Sequence, residues 1–322
     1  MTIAMSTSAQ SRTSVRFLFQ GLIDYAGLFP PASLAMEPAV DEYLLARSGA
    51  HAWMLGRFVV PASRLDELVT VLRRKDPSVP VPVCAIVDSA RDPRRWFGTA
   101  QERLAAVALL RSTVPQIAVE SLETKLPPLA TQRDSYDAPI GQFAALASQA
   151  GLRDLPIYVE FPHDARWVEA LPLALSALAR ARLGAKLRCG GDEPRAVPSV
   201  ADVAAFIAAT RREEVAFKAT AGLHHPVRQR RTRDGTMMHG FLNLLAATAF
   251  AGNLDASMLE QIVAEEDAGA FTLDDDGFAW RDLRIETAAI PGMRASFVRY
   301  GSCSFGEPID DLTALELLPK FA

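Results

Sequence analysis

The sequence has little cysteine, little histidine and no long apolar run, and each shortage removes a class of protein. Cys84, Cys189 and Cys303 are its three cysteines, each more than a hundred positions from the next. No CxxC pair exists, so neither a zinc knuckle nor a thioredoxin-like site is signalled. Sparse cysteine in so long a chain fits a reducing compartment. The five histidines contain neither HxH nor HExxH, the spacings that place two imidazoles on one metal. No apolar run approaches the ~20 residues of a membrane span. The opening MTIAMSTSAQSRTSVR is small and polar and lacks the apolar stretch of a signal peptide. Residues 1–16 are therefore expected as a loose tail on a cytoplasmic protein, although their Arg and Ser content also suits organelle targeting. Basic excess is lacking too. The formal net charge is −4, which argues against a surface built on a nucleic-acid backbone.

What is present is a chain of 322 residues, 49% hydrophobic and 22% charged. That is enough to bury a large core, and it excludes intrinsic disorder. Short β-branched runs alternate with longer Ala/Leu-rich amphipathic segments. The runs are Trp53–Val60, Val81–Asp88, Gln116–Ser121, Pro156–Phe161, Ala185–Cys189 and Val215–Thr220. Helices are predicted at Ser63–Arg74, Asp92–Arg111, Ile140–Gly151, Ala165–Leu183 and Ser199–Arg211. Ser199 with Asp202 supplies an N-terminal cap, and Gly151 and Gly184 stand where helix C-caps belong. Strands alternating with helices of this length need right-handed crossovers and a parallel sheet.

No linker divides the six units, so residues 17–322 read as one (β/α)8 barrel of TIM type. The turn after Val60 lacks the GxGxxG that would favour an open doubly wound sheet. Phe17–Ser33, aromatic and broken by Gly21, Gly27 and Pro30-Pro31, is expected to plug the bottom of the barrel or cross its mouth. Phe271–Trp280 reads as a hairpin around Asp-Gly, an antiparallel addition or a distorted seventh unit. Phe297–Ser304 reads as the last strand, with Glu307–Leu318 its helix. The pattern leaves the seventh strand unplaced.

Barrel chemistry stands at the C-terminal ends of the strands, where side chains alternate between interior and helix layer. Period-two reading puts Lys186 with Arg188, Lys218 with Thr220, Tyr158 with Glu160, and Ala118 with Glu120. Long charged groups resist the apolar helix layer, because an unpaired buried charge costs several kcal/mol. Two carboxylates and three cations are therefore expected to line one mouth. Glu160 with Lys186, or Glu120 with Arg188, also fits purely structural neutralisation. The positive excess calls for a bound carboxylate or phosphate.

Downstream stands Lys218-Ala219-Thr220-Ala221-Gly222-Leu223-His224-His225-Pro226. Its FKATAG resembles the strand-six segment of class I aldolases of the deoxyribose-phosphate aldolase type, in which Lys-Thr-Ser-Thr-Gly carries the Schiff-base lysine. The resemblance covers six residues. It implies a (β/α)8 barrel, lyase activity and an amine nucleophile at Lys218. In that family the second lysine lies on the following strand, whereas Lys186 lies on the preceding run. The acid of its third strand is Asp, whereas here Glu120 is offered. Charged neighbours and burial both favour the unprotonated amine that such chemistry needs. A charged Lys218 holding a substrate anion is the competing reading.

His224, or Glu160, is the candidate proton carrier, and Lys186 tunes Lys218. Arg188, Glu120, Thr220, His225, Arg228, Asn243 and Ser302 are candidate substrate contacts. Arg228 is taken from the arginine-rich Val227–Asp234, Asn243 from one helical turn after His239, and Ser302 from the glycine-containing end of the last strand. Cys303 has no base beside it in sequence and is read as packing. No cofactor is required by this reading. The alternative is a hydrolase, lyase or isomerase holding a divalent metal on His224, His225, His239 and Glu160. A third reading is a barrel that binds a metabolite without catalysis. The expected partner is a small anionic metabolite, not nucleic acid or membrane, and the sequence allows a homo-oligomer.

Overall fold

The computed structural model describes residues 12–88, 92–127, 136–163, 167–191 and 193–318. In chain order α1 (Thr13–Phe19) precedes β1 (Ile23–Tyr25), and α2 (Met36–Ser48) leads to β2 (Leu55–Pro61). Next come α3 (Leu65–Lys75), β3 (Val81–Val87), α4 (Pro93–Thr113), β4 (Ile117–Lys125), α5 (Asp137–Gln149) and β5 (Ile157–Glu160). α6 (Trp167–Ala181), β6 (Gly184–Arg188), α7 (Val200–Arg212) and β7 (Phe217–Thr220) complete the regular part. A ribbon of β8 (Gln229–Arg230) and β9 (Met237–Met238) follows, then α8 (Phe241–Phe250) and α9 (Ala256–Ala264). An antiparallel sheet of β10 (Phe271–Leu273), β11 (Gly277–Trp280) and β12 (Leu283–Glu286) precedes α10 (Ile290–Ser296), β13 (Phe297–Ser302) and α11 (Gly306–Ala314).

Eight parallel strands close a barrel in the order β1-β13-β7-β6-β5-β4-β3-β2. This is the expected α/β barrel of TIM type. Closure is made by β1, which pairs Ile23 with Tyr300 on one side and with Leu55 on the other. The helices bury one stripe each. In α3, Leu65, Leu68, Val69 and Leu72 are buried, while Arg73, Arg74 and Lys75 end the helix where its dipole favours cations. α7 starts on the expected cap, with Ser199 and Asp202 bonding each other's backbone N–H at 3.1 Å. Outward-facing aromatics weld the strands to the helices: Phe217 stacks on Phe297 at 4.8 Å, and Phe206 meets Phe217 edge-on. Among the described residues no helix is long and apolar enough to cross a membrane.

Several expectations change. The unplaced strand is the first, not the seventh: three residues inside the aromatic segment Phe17–Ser33 form β1. The six runs read from the sequence are thus β2 to β7, and β13 is the eighth strand. The expected loose tail does not hold for Thr13–Arg16, which open α1, a helix that buries Val15, Leu18 and Phe19; residues 1–11 lie outside those described. Gly151 sits at φ +73 beyond α5, as a C-cap glycine does, but Gly184 does not cap α6. The left-handed residue there is Arg182, and Gly184 opens β6 because a Cβ would stand 2.5 Å from the Tyr158 ring. The expected start of α6 at Ala165 lies outside the described residues. The Asp-Gly hairpin gains a third strand, β12, and stays outside the barrel.

Candidate active site

β6 and β7 are in register, with Lys186 beside Lys218 and Arg188 beside Thr220. Period two turns all four inward, as the sequence predicts. The inner face of β4 carries Glu123, which bridges the two lysines. Its Oε2 lies 2.6 Å from Lys186 Nζ, and its Oε1 accepts from Lys218 Nζ. Lys218 Nζ is also 2.5 Å from Asp24 Oδ2 on β1 and 3.6 Å from Cys84 Sγ on β3. On the other side Lys186 Nζ is 3.5 Å from Glu160 Oε2 at the end of β5. Glu160 Oε1 in turn is 3.0 Å from Lys125 Nζ and 3.2 Å from Arg188 Nε. Asp24, Lys218, Glu123, Lys186, Glu160 and Arg188 therefore alternate in sign across the barrel interior.

Alternation is what makes so much buried charge tolerable. A lone ion in this interior would cost several kcal/mol, and removing one member of a pair strands the other. Asp24 is held further by the Arg57 backbone N–H at 2.7 Å and by Arg299 at 3.9 Å. Gly56 is required beside it, since a Cβ there would fall 2.2 Å from Asp24 Oδ1.

Burial opposes the ammonium of Lys218, but Asp24 and Glu123 outweigh it and raise its pKa well above the ordinary value. Lys186 is raised in the same way, against burial, by Glu123 and Glu160. Burial pushes the other way on Glu123, yet Lys186 and Lys218 hold it well below the carboxylate range. For Glu160, Lys186, Arg188 and Lys125 overcome burial and bring the value down to about 2. Cys84 is pushed up to about 12, first by burial and then by Glu123, so it is a thiol that donates to Glu123 Oε1 at 3.2 Å.

A cavity of about 630 Å3 opens above this chain at the C-terminal ends of the strands. Lys186, Arg188, Thr220, Glu123, His224 and His225 border it. Lys218 does not: it is 1% exposed, whereas Lys186 is 7% exposed and faces the opening. The residue nominated as nucleophile thus lies beneath the cavity floor, and the residue nominated to tune it is the amine on the surface. Glu160 is buried behind Lys186 and orients it.

Other nominations separate from the site. Glu120 is at the opposite end of the barrel, 3.0 Å from Arg57, on the rim of a second recess with Arg294 and Arg299. The β3–β4 register shifts between Val83 and Cys84, whose partners Val119 and Ser121 leave Glu120 as an extra residue. Arg228 pairs with Glu266 at 2.5 Å and is not on the cavity; Arg230, Arg231 and Arg233 of the same run are. Asn243 is fully buried, accepting from the Arg228 N–H and donating to the carbonyls of Ile262 and Glu265. It ties α8 to α9. The Ser302 hydroxyl is buried and accepts from the Ser304 N–H, while its neighbours Gly301 and Cys303 reach the cavity.

The four residues considered for a metal do not gather. His239 is buried with Nε2 2.9 Å from the Pro198 carbonyl. His224 Nδ1 is 3.0 Å from Glu307, and His225 Nδ1 is 2.6 Å from Asp311, so both clamp the β7 loop to α11. Among the described residues the ligand atoms of Asp24, Cys84 and Glu123 lie within 4.8 Å of one another. Lys218 Nζ is bonded into that group.

Cys303 does have a histidine near it: its Sγ is 3.9 Å from His224 Nδ1, a proximity invisible in sequence. The other residues missed are Asp24, Cys84, Glu123 and Lys125. Glu123 and Lys125 are hidden by the bulge at Glu120, because period two continued from Ala118 and Glu120 leads to Leu122 and Thr124 instead. Asp24 was signalled only by a lone acid within Ile23-Asp24-Tyr25.

No family model matches the chain, and no curated protein matches it. Among solved structures it is similar to a tetrameric deoxyribose phosphate aldolase from Aeropyrum pernix. The two are 12% identical over 96% of this chain and 100% of that one, with a TM-score of 0.48. So distant a likeness carries no argument, and the fold stands on the strand pairing itself.

Proposed function

We propose that this barrel is a lyase of aldolase type that acts on a small anionic carbonyl compound through a Schiff base on Lys186. The observation that carries the reading is that Lys186 is an amine opening on the cavity while fixed between two buried carboxylates, Glu123 and Glu160. Lys186 gives up a proton, and its nitrogen attacks the substrate carbonyl carbon. The carbonyl oxygen then leaves as water, and the protonated imine draws electrons from the adjacent carbon, so that a neighbouring C–C bond breaks or forms. Glu123 is the carboxylate positioned to exchange the proton. Lys218 holds Glu123 from below as a positioning residue, and Arg188 stands two residues along the same strand for the substrate's acid group.

Counting β1 supports the role of Lys186 in a second way. With β1 included, Lys186 is on the sixth barrel strand and Lys218 on the seventh, the strands that carry the two lysines in the aldolases FKATAG resembles. The assignment of the two roles is then reversed from the one that segment implied. Because Lys186 rests as an ammonium with a raised pKa, each pH unit below that pKa leaves tenfold less free amine. Intact mass measured after borohydride treatment with pyruvate is expected to show one reduced adduct per chain, forming faster from pH 7 to 10. Absence of any adduct with pyruvate or longer 2-oxo acids overturns the reading.

The raised pKa of Lys186 favours one other reading, in which it stays charged and stabilises an enolate without a covalent bond. That reading predicts turnover without a trapped adduct.

A further inference from the structure

The cavity has two unlike sides, and the barrel order fixes where they lie. In the ring β1-β13-β7-β6-β5-β4-β3-β2, β2 is four strands from β6 in either direction. Val59 on β2 is therefore across the mouth from Lys186. The cavity wall on that side is supplied by Phe29, Pro30 and Pro31 after β1, by Val59, and by Ile86 on β3. None of these side chains can hydrogen-bond.

On the side of Lys186 stand Arg188 and the ribbon β8–β9 with Arg230, Arg231 and Arg233. Arg231 is paired with Asp234 at 2.6 Å. Arg230 is exposed and donates to the Gly235 carbonyl at 3.2 Å, a neutral partner that leaves its charge for an anion.

We propose that the substrate carries its acid group close to the carbonyl, on the β6–β7 side, and an apolar alkyl or aryl body that lies against Phe29, Pro31, Val59 and Ile86. This rests on Lys186 as the reacting amine, and it adds what the rest of the molecule must be. A polyhydroxylated body is disfavoured by the same wall. Hydroxyls laid against it lose their water and gain no partner, a loss of about tenfold or more in affinity for each. A methylene placed there gains about fourfold.

The test is reductive trapping with cyanoborohydride across four probes: pyruvate, 2-oxopentanoate, 4-methyl-2-oxopentanoate and 4,5-dihydroxy-2-oxopentanoate. The concentration giving half-maximal adduct is expected to fall about tenfold from pyruvate to 2-oxopentanoate, and further with the branched acid. It is expected to be at least tenfold higher for the dihydroxy acid than for 2-oxopentanoate. Ile86→Thr, checked for folding by circular dichroism, is expected to narrow that gap severalfold. Equal or better trapping of the dihydroxy acid overturns this inference alone. No adduct with any of the four overturns the Schiff-base reading and this inference with it.

Discussion

Lys186 and Lys218 stand side by side on neighbouring strands, share one carboxylate and carry the same charge, yet they occupy different regions of the molecule. Lys218 is sealed among Asp24, Glu123 and Cys84 below the cavity floor. Lys186 touches the same Glu123 from above and meets the cavity. In the proposed reaction, access rather than charge environment separates the reacting amine from its support. The lower lysine lies inside a buried lattice of opposite charges, and the upper one brings that lattice to the cavity surface.

Substitution separates the two lysines. Lys186→Met is expected to reduce adduct formation with 2-oxo acids more than about 1000-fold while the protein stays folded, because Glu123 keeps Lys218 and Glu160 keeps Lys125 and Arg188. Kinetics of trapping together with urea midpoints check this. Lys218→Met is expected to cost about 3–5 kcal/mol of stability, since it strands the fully buried Asp24 and leaves Glu123 with one lysine instead of two. A midpoint unchanged within error would show that Lys218 is not the support described.

Acid probes the same lattice. Glu160 titrates near 2 when folded against an ordinary 4.5. A lowered folded pKa stabilises above the unfolded value, and the effect is lost as pH falls through the folded one. Between about pH 4.5 and 2 this group should therefore remove about 3 kcal/mol, read as a falling urea midpoint. Smallest of all is Glu120→Gln at the opposite end of the barrel. Its pairing with Arg57 is half exposed, so a cost under about 1 kcal/mol and unchanged trapping are expected.

Much of this was legible in the sequence, for a physical reason. Strands buried on both faces must be apolar except where a charge points into the barrel, so Lys186, Arg188, Lys218 and Glu160 stood out against Leu187, Phe217 and Val159. Period two then put them on one face. What failed was the edges of elements. β1 is three residues long and sits among aromatics that do not alternate, so its Asp24 had no pattern to mark it. β4 runs on past Ser121 through Lys125, which leaves the predicted acid at the wrong end, and a one-residue bulge at Glu120 resets its parity and hides Glu123. Depth was illegible as well. Lys186 and Lys218 look equivalent in sequence, and only the closed barrel distinguishes floor from cavity. Asn243 and Arg228 were placed near the mouth by spacing along the chain, but the α8–α9 packing claims both for structure.

In the proposed reaction Lys186 is the amine a substrate meets. Peptide mapping of the protein reduced with borohydride in the presence of 2-oxopentanoate tests it most directly. The added mass is expected on the peptide containing Lys186, with Lys218 unmodified. An adduct located on Lys218 with Lys186 untouched would contradict it.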